Sequence, residues 1–394
     1  MSDILDEDLI GYVDFDEYIV KPGTEVICDD AFYECRELKR IILPSSCLAI
    51  GRDAFRGCTS LQEVVLPDSL QIIESRAFWG CRSLRKIILP DSITKIGEGA
   101  FGECESLEEI KIPSNLLVLE QRTFLRCTNL KKVIIPATLA KIERNPFIAC
   151  RCNIITNMSP LFGYDDSLHF LYNKKNKTII AFLSDEKEIH VPSNIERIGE
   201  YSFAECSIEK IGIPSSLRYI MREAFDLSTI KQVFLDGDDT IIDDTAFSWG
   251  LKIIIVPQGT ASKYKELLSG ISNSIIENGT YINHSNVFYS LDMKTLLSYA
   301  SSNNNFVIPD TVTTIADEAF AMCDIETVTI PSSVTTIGHK AFASCYDLEK
   351  IFLYSKQLTI WNDAFEDCFD DIPIIKYDGT ETTSTELLKY NKKQ

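Results

Sequence analysis

Residues 77–96 read Ala-Phe-Trp-Gly-Cys-Arg-Ser-Leu-Arg-Lys-Ile-Ile-Leu-Pro-Asp-Ser-Ile-Thr-Lys-Ile. In the stretch 84–89, alternation sends Ile87 and Leu89 to one side and Lys86 and Ile88 to the other, the period of a short strand. Pro90 has no amide to continue a hydrogen-bonded ladder, so the strand is expected to stop there. Ile93 and Ile96 form a second, shorter apolar pair suited to an opposite wall, and Ala77-Phe78 suits a buried turn between walls.

Outward from this stretch the unit recurs in both directions. Phe32, Phe55, Phe78, Phe101, Phe124 and Phe147 are spaced by 23 residues, as are Cys35, Cys58, Cys81, Cys104, Cys127 and Cys150. Pro44, Pro67, Pro90, Pro113 and Pro136 keep the same step. A fixed period of this length marks a solenoid, in which each coil buries its apolar edge only against its neighbours. Stacked coils place their strands in a parallel sheet at about 4.8 Å per rung and the Phe column in a continuous aromatic spine.

The string Ile-x-x-x-Ala-Phe-x-x-Cys-x-x-Leu-x-x-Ile-x-Ile-Pro, repeated from about Glu17 to Cys368, resembles the BspA-type leucine-rich repeat of bacteria and protozoa. The resemblance implies an α/β solenoid, predominantly β: a right-handed superhelix with a parallel sheet on its concave side. It also implies a non-enzymatic protein that binds other macromolecules, several members being cell-surface adhesins.

A larger repeat lies over the small one. After Cys150 the rhythm breaks, resuming at Phe203. Between them Phe170-Leu171-Tyr172 and Lys177 to Phe182 read as strand, turn and strand, and the pattern returns 117 residues later in Val287-Phe288-Tyr289 and Lys294 to Tyr299. Gly259-Thr260 leading to Leu267-Leu268 matches Gly379-Thr380 leading to Leu387-Leu388, and each is expected to close its block with a short capping helix. The expected blocks are therefore 1–150, six coils with an N-terminal cap; 151–270, a β-hairpin insert, three coils and a helix; and 271–394, a second copy. The inserts either lengthen one coil or project as binding loops. The acids Asp3, Asp6, Glu7, Asp8, Asp14, Asp16 and Glu17 either cap the first coil or fray.

Outward positions of the strands fall in two columns. Arg40, Glu63, Lys86, Glu109 and Lys132 alternate in sign, so in-register stacking turns repulsion into attraction and fixes register. Ile42, Val65, Ile88, Lys111 and Ile134, with Phe234 and Phe352 at the equivalent place, form an apolar row suited to a protein partner lying along the concave face, and equally to plain strand propensity.

Other chemistries find no support. Lys and Arg number 39 against 58 Asp and Glu, giving −19, which repels nucleic acid and anionic lipid. No run is long and apolar enough to span a bilayer, and MSDILDEDLI lacks the basic start of a secretory signal. A cytoplasmic protein is expected, with the cell-surface adhesin as the alternative. Ten of the thirteen cysteines (Cys35, Cys58, Cys81, Cys104, Cys127, Cys150, Cys206, Cys323, Cys345 and Cys368) hold one repeat position, which fits buried free thiols in a reducing compartment. No zinc spacing occurs, and Asp236-Gly237-Asp238-Asp239 reads as turn chemistry. The four histidines follow no catalytic or metal motif, no phosphate loop or nucleophile elbow is present, and no cofactor is expected.

Overall fold

The computed structural model describes residues 16–155, 159–247, 251–267, 274–368 and 371–391. The chain is a predominantly β solenoid built of parallel sheets. Among the described residues its helices are α1, Ala261–Leu267, and α2, Ser384–Asn391.

Each coil has two walls. The first is the strand that alternation specifies: Arg40–Ile42 pairs in parallel register with Glu63–Val65, Arg40 against Glu63 and Ile42 against Val65. The second is a two-residue strand, such as Ala49–Ile50 or Ile72–Ile73, again parallel and in register. Ile87 and Leu89 turn inward at 4 % and 7 % exposure while Ile88 stands out at 73 %.

The corner between walls carries a ladder of its own. The Phe55 amide donates to the Ala77 carbonyl and the Phe78 amide to the Ala100 carbonyl, both at 2.8 Å. Left-handed backbone at Asp53 and Gly57 (φ 53° and 76°) turns the chain on either side of Phe55. The rings stack from Phe32 to Phe147 with centroids 5.1–5.7 Å apart and planes within 10°. From Cys58 to Cys150 the Cys column explains itself here: each thiol donates to the Phe carbonyl of the coil before, Cys81 to Phe55 at 3.2 Å and Cys104 to Phe78 at 3.2 Å. The site needs a side chain small and apolar enough to be buried, yet able to donate.

One expectation fails locally. The first-wall sheet does not run unbroken through the coil of Ile88. Glu17–Ile19, Arg40–Ile42 and Glu63–Val65 form one sheet, Glu109–Lys111, Lys132–Ile134 and Asn153–Ile155 another, and between them Lys86 makes an isolated bridge to Glu109.

The chain divides into two compact units. The first takes in residues up to Lys187 with Pro192–Ile208 and Ser216–Ser228; the second takes Glu188–Val191, Glu209–Ser215 and the chain from Thr229. In the first unit, the insert is a three-stranded antiparallel meander, Phe162–Asp165, Phe170–Asn173 and Thr178–Phe182, one strand more than the sequence suggests. Its last strand joins the second wall in parallel register, Thr178 against Arg197. Phe182 then takes the spine position, its amide donating to the Ser202 carbonyl at 2.8 Å and its ring lying 5.2 Å from Phe203. The insert is thus a lengthened coil with two strands added to its wall.

The second unit repeats the design. Tyr281–His284, Val287–Ser290 and Thr295–Tyr299 form the meander, Thr295 pairs with Thr314 in the wall, and Tyr299 heads a stack through Phe320 and Phe342 to Phe365. One face of this meander (Val287, Tyr289, Leu296, Tyr299) joins the core of the coils that follow it. The other face (Tyr281, Phe288, Leu297) packs with Ala300 on the outward side of the preceding strands, against Phe234, Ile253, Ile255 and Ile276. Ile253–Val256 is accordingly buried on both faces. The acidic turn Gly237-Asp238 holds α1: the Tyr264 hydroxyl donates to the Gly237 carbonyl at 3.1 Å, and Lys263 to the Asp238 carbonyl.

Candidate functional site: the outward face of the first wall

The charged column forms as a ladder at both ends of the first unit's wall. Arg40 sits between Glu17 (2.6 Å) and Glu63 (2.9 Å), and these carboxylates hold its guanidinium above the ordinary value. Lys132 pairs with Glu109 at 2.8 Å. Lys86, in the broken rung, meets Glu109 through the backbone bridge. These pairs are solvent-exposed, so each contributes little to stability, and their effect is to set register.

Beside the ladder, Ile19, Ile42 and Val65 stand on successive rungs in register, with Ile88 next in the column. Ile19 and Ile88 are 64 % and 73 % exposed, Ile42 and Val65 half-buried. Lys111 interrupts the row, reaching Asp91 at 3.4 Å, and Ile134 resumes it half-buried. The Ser114 backbone amide, 2.8 Å from Asp91, heads the contacts that hold that carboxyl below the usual range. Where the ladder breaks, a groove of about 710 Å³ opens among Arg85, Lys86, Ile88, Asp91, Glu109 and Lys111.

The more distant members of the row fare differently. Phe234 is turned outward as expected but lies under the second meander, so it is not part of an open face. Phe352, half-buried, stands in register with Thr329 and Ile375. Two further members, Glu17 and Ile19, escape sequence reading. Glu17-Tyr18-Ile19-Val20 stands one period before Arg40-Ile41-Ile42-Leu43, but its proline is Pro22, one residue late, and Glu17 reads as part of the acidic N-terminus. Asp3, Asp6, Glu7, Asp8 and Asp14 lie outside the described residues, whereas Asp16 pairs with Lys39 at 2.9 Å.

Among the described residues, no group of three His, Cys, Asp or Glu could hold a metal ion, and no helix is long and apolar enough to cross a membrane. The cysteines are unbridged, and burial pushes most thiols up, that of Cys206 to about 12.

The fold is a parallel β solenoid whose coils repeat one pattern of strand, proline and Phe-Cys corner. The chain matches the family model described as BspA type leucine rich repeat region, in 6 copies over residues 25–153, 181–294 and 294–389, and it belongs to that family. It is similar to a leucine rich cell surface protein from Faecalibacterium prausnitzii, at 22% identity over 86% of this chain and 88% of that one (TM-score 0.47). It is also similar to a leucine-rich repeat protein from Bacteroides ovatus, at 21% identity over 91% of each chain (TM-score 0.42). A third likeness is to the pneumococcal vaccine antigen PcpA, at 17% identity over 81% of this chain and 75% of that one (TM-score 0.45). No curated protein matches the chain.

Proposed function

We propose that the chain is a non-enzymatic binding module whose outward first-wall face takes a protein partner. The observation that carries this is the row Ile19, Ile42, Val65 and Ile88, with its two end members 64 % and 73 % exposed. Aligned apolar side chains on a rigid wall exceed what an idle surface needs. Stacking fixes the coils beforehand, so little ordering entropy is lost on binding. Arg40, Glu63, Lys86, Glu109 and Lys132 border the row, where charge sets specificity and on-rate.

Partner capture from the native lysate tests the reading. Ile88→Glu is expected to abolish recovery of partners that the wild type retains. Leu117→Glu, which changes an equally apolar residue 57 % exposed outside the face, is expected to leave them. Equal recovery by both variants overturns the proposal. The adhesin alternative differs in where the face meets its partner, and labelling intact cells with a membrane-impermeant reagent separates the two.

A further inference from the structure

One outward face of this chain already carries an occupant. Phe234, Ile253, Ile255 and Ile276 are covered by Tyr281, Phe288 and Leu297 of the second meander together with Ala300. Ile253, Ile255 and Phe288 keep 0 %, 2 % and 0 % of their surface exposed. Phe234 and Ile255 are in register across their strands, as Ile42 and Val65 are across theirs, so the covered row and the free row are the same column of the repeat.

In the first unit, the equivalent meander touches this wall at its last rung. The Tyr164 hydroxyl donates to the Cys152 carbonyl at 3.2 Å and lies 3.3 Å from Asn153 Oδ1, and Asn153 pairs with Lys132. The rungs Lys132–Ile134 and Glu109–Lys111 separate that contact from the row running from Ile88 back to Ile19, whose end members stay open at 73 % and 64 % exposure.

The covered face also shows where an occupant fits badly. Gln232 holds the place of the charged column, is 1 % exposed, and its Oε1 has no hydrogen-bond partner. Burying the ion pairs of Arg40 in the same way would cost more, since desolvating charge outweighs what a pair returns. An occupant of the first unit therefore covers the apolar row and leaves the ladder in water.

We infer that the free row takes a partner's β-hairpin with aromatic and aliphatic side chains on one face, laid on it as the second meander lies on Phe234, Ile253 and Ile255. The inference rests on the row being the partner-binding face, and it names the kind of partner.

The test is a fluorescence-anisotropy titration of the full chain with a cyclised β-hairpin peptide carrying Phe, Leu and Tyr on one face and Thr and Lys on the other. Binding is expected, weakened about tenfold or more by Ile42→Glu and by Ile88→Glu and unchanged by Leu117→Glu, with melting curves confirming that the variants fold. The same peptide with Ser in place of Phe, Leu and Tyr is expected not to bind. Equal binding of the two peptides, or no binding of either, overturns the inference. If the hairpin fails while partner capture still depends on Ile88, the hairpin class is wrong and the face stands. If capture too is indifferent to Ile88→Glu, both fall.

Discussion

Phe78 has no exposed surface and lies between two near-parallel rings, 5.1 Å from Phe55 and 5.4 Å from Phe101. Its neighbours are fixed by their own corner hydrogen bonds, so they cannot collapse into the space a smaller side chain leaves. Phe78→Ala is therefore expected to lose about 3–5 kcal/mol, measured by urea denaturation, and a loss below about 1 kcal/mol would contradict burial of the spine. The Phe and Cys columns are legible because period alone brings them together: any residue recurring every 23 positions meets its copies in a stack. The backbone at the corner is legible only where it uses glycine. Gly57 and Gly80 announce a left-handed residue, but Glu34, Glu103 and Arg126 adopt the same conformation at the same repeat position with φ of 54–56°. No side-chain signal marks them; the inter-coil hydrogen bonds impose the turn whatever the residue.

The helix α2 is held by a residue that precedes it in sequence by a whole β-hairpin, Pro373–Lys376 and Glu381–Thr383. Asp371 accepts from the Thr385 amide at 2.8 Å and from the Ser384 hydroxyl at 2.9 Å, satisfying donors of the first helical turn. Burial pulls the Asp371 carboxyl upward, but the Thr385 amide and the hydroxyls of Thr383, Ser384 and Thr385 outweigh it and hold it at about 2. The unfolded value is about 3.9, so the folded state favours the ionised form. Its contribution is complete above about 3.9 and disappears as pH falls toward 2. Wild type is accordingly expected to melt at a higher temperature than Asp371→Asn near neutrality, the gap closing below pH ~4; a gap independent of pH would refute this role for the carboxylate. Such a cap is invisible in sequence because it is not local. The strand Phe162–Asp165 is hidden for a related reason: Gly163 and Asp165-Asp166 read as turn residues, yet Gly163 is there because a Cβ would meet the Tyr172 ring at 2.5 Å. Strand alternation in Arg40–Ile42 or Glu63–Val65 needs no such partner and is read directly. The cover over Phe234 could not be read at all, since the residues that provide it lie more than forty positions later, in a segment whose own pattern says only strand.

Coils that touch only their neighbours make stability a chain of local couplings rather than one property of the molecule. The buried residues cluster accordingly: Val20 to Leu183 in one core, Val287 to Ile374 in another. The rung at Ile88 adds a weak point, since its backbone is joined to the next rung by a bridge at Lys86 rather than by a strand. Hydrogen exchange on Phe78→Ala reads this organisation directly. The amides of Phe55 and Phe78, which donate to the Ala77 and Ala100 carbonyls, are expected to lose protection, because the substitution opens the corner they bridge. The amides of Phe320 and Phe342, bonded at 2.7 Å and 2.8 Å to the Ala341 and Ala364 carbonyls in the other stack, are expected to keep theirs. The distinction matters for binding as well. If protection falls equally in both stacks, the chain unfolds as one cooperative body, and a charge placed at Ile88 would disturb surfaces far from it. If the loss stays within a coil or two of Phe78, substitutions on the outward row report on the face they occupy, and the contrast between Ile88→Glu and Leu117→Glu isolates that face.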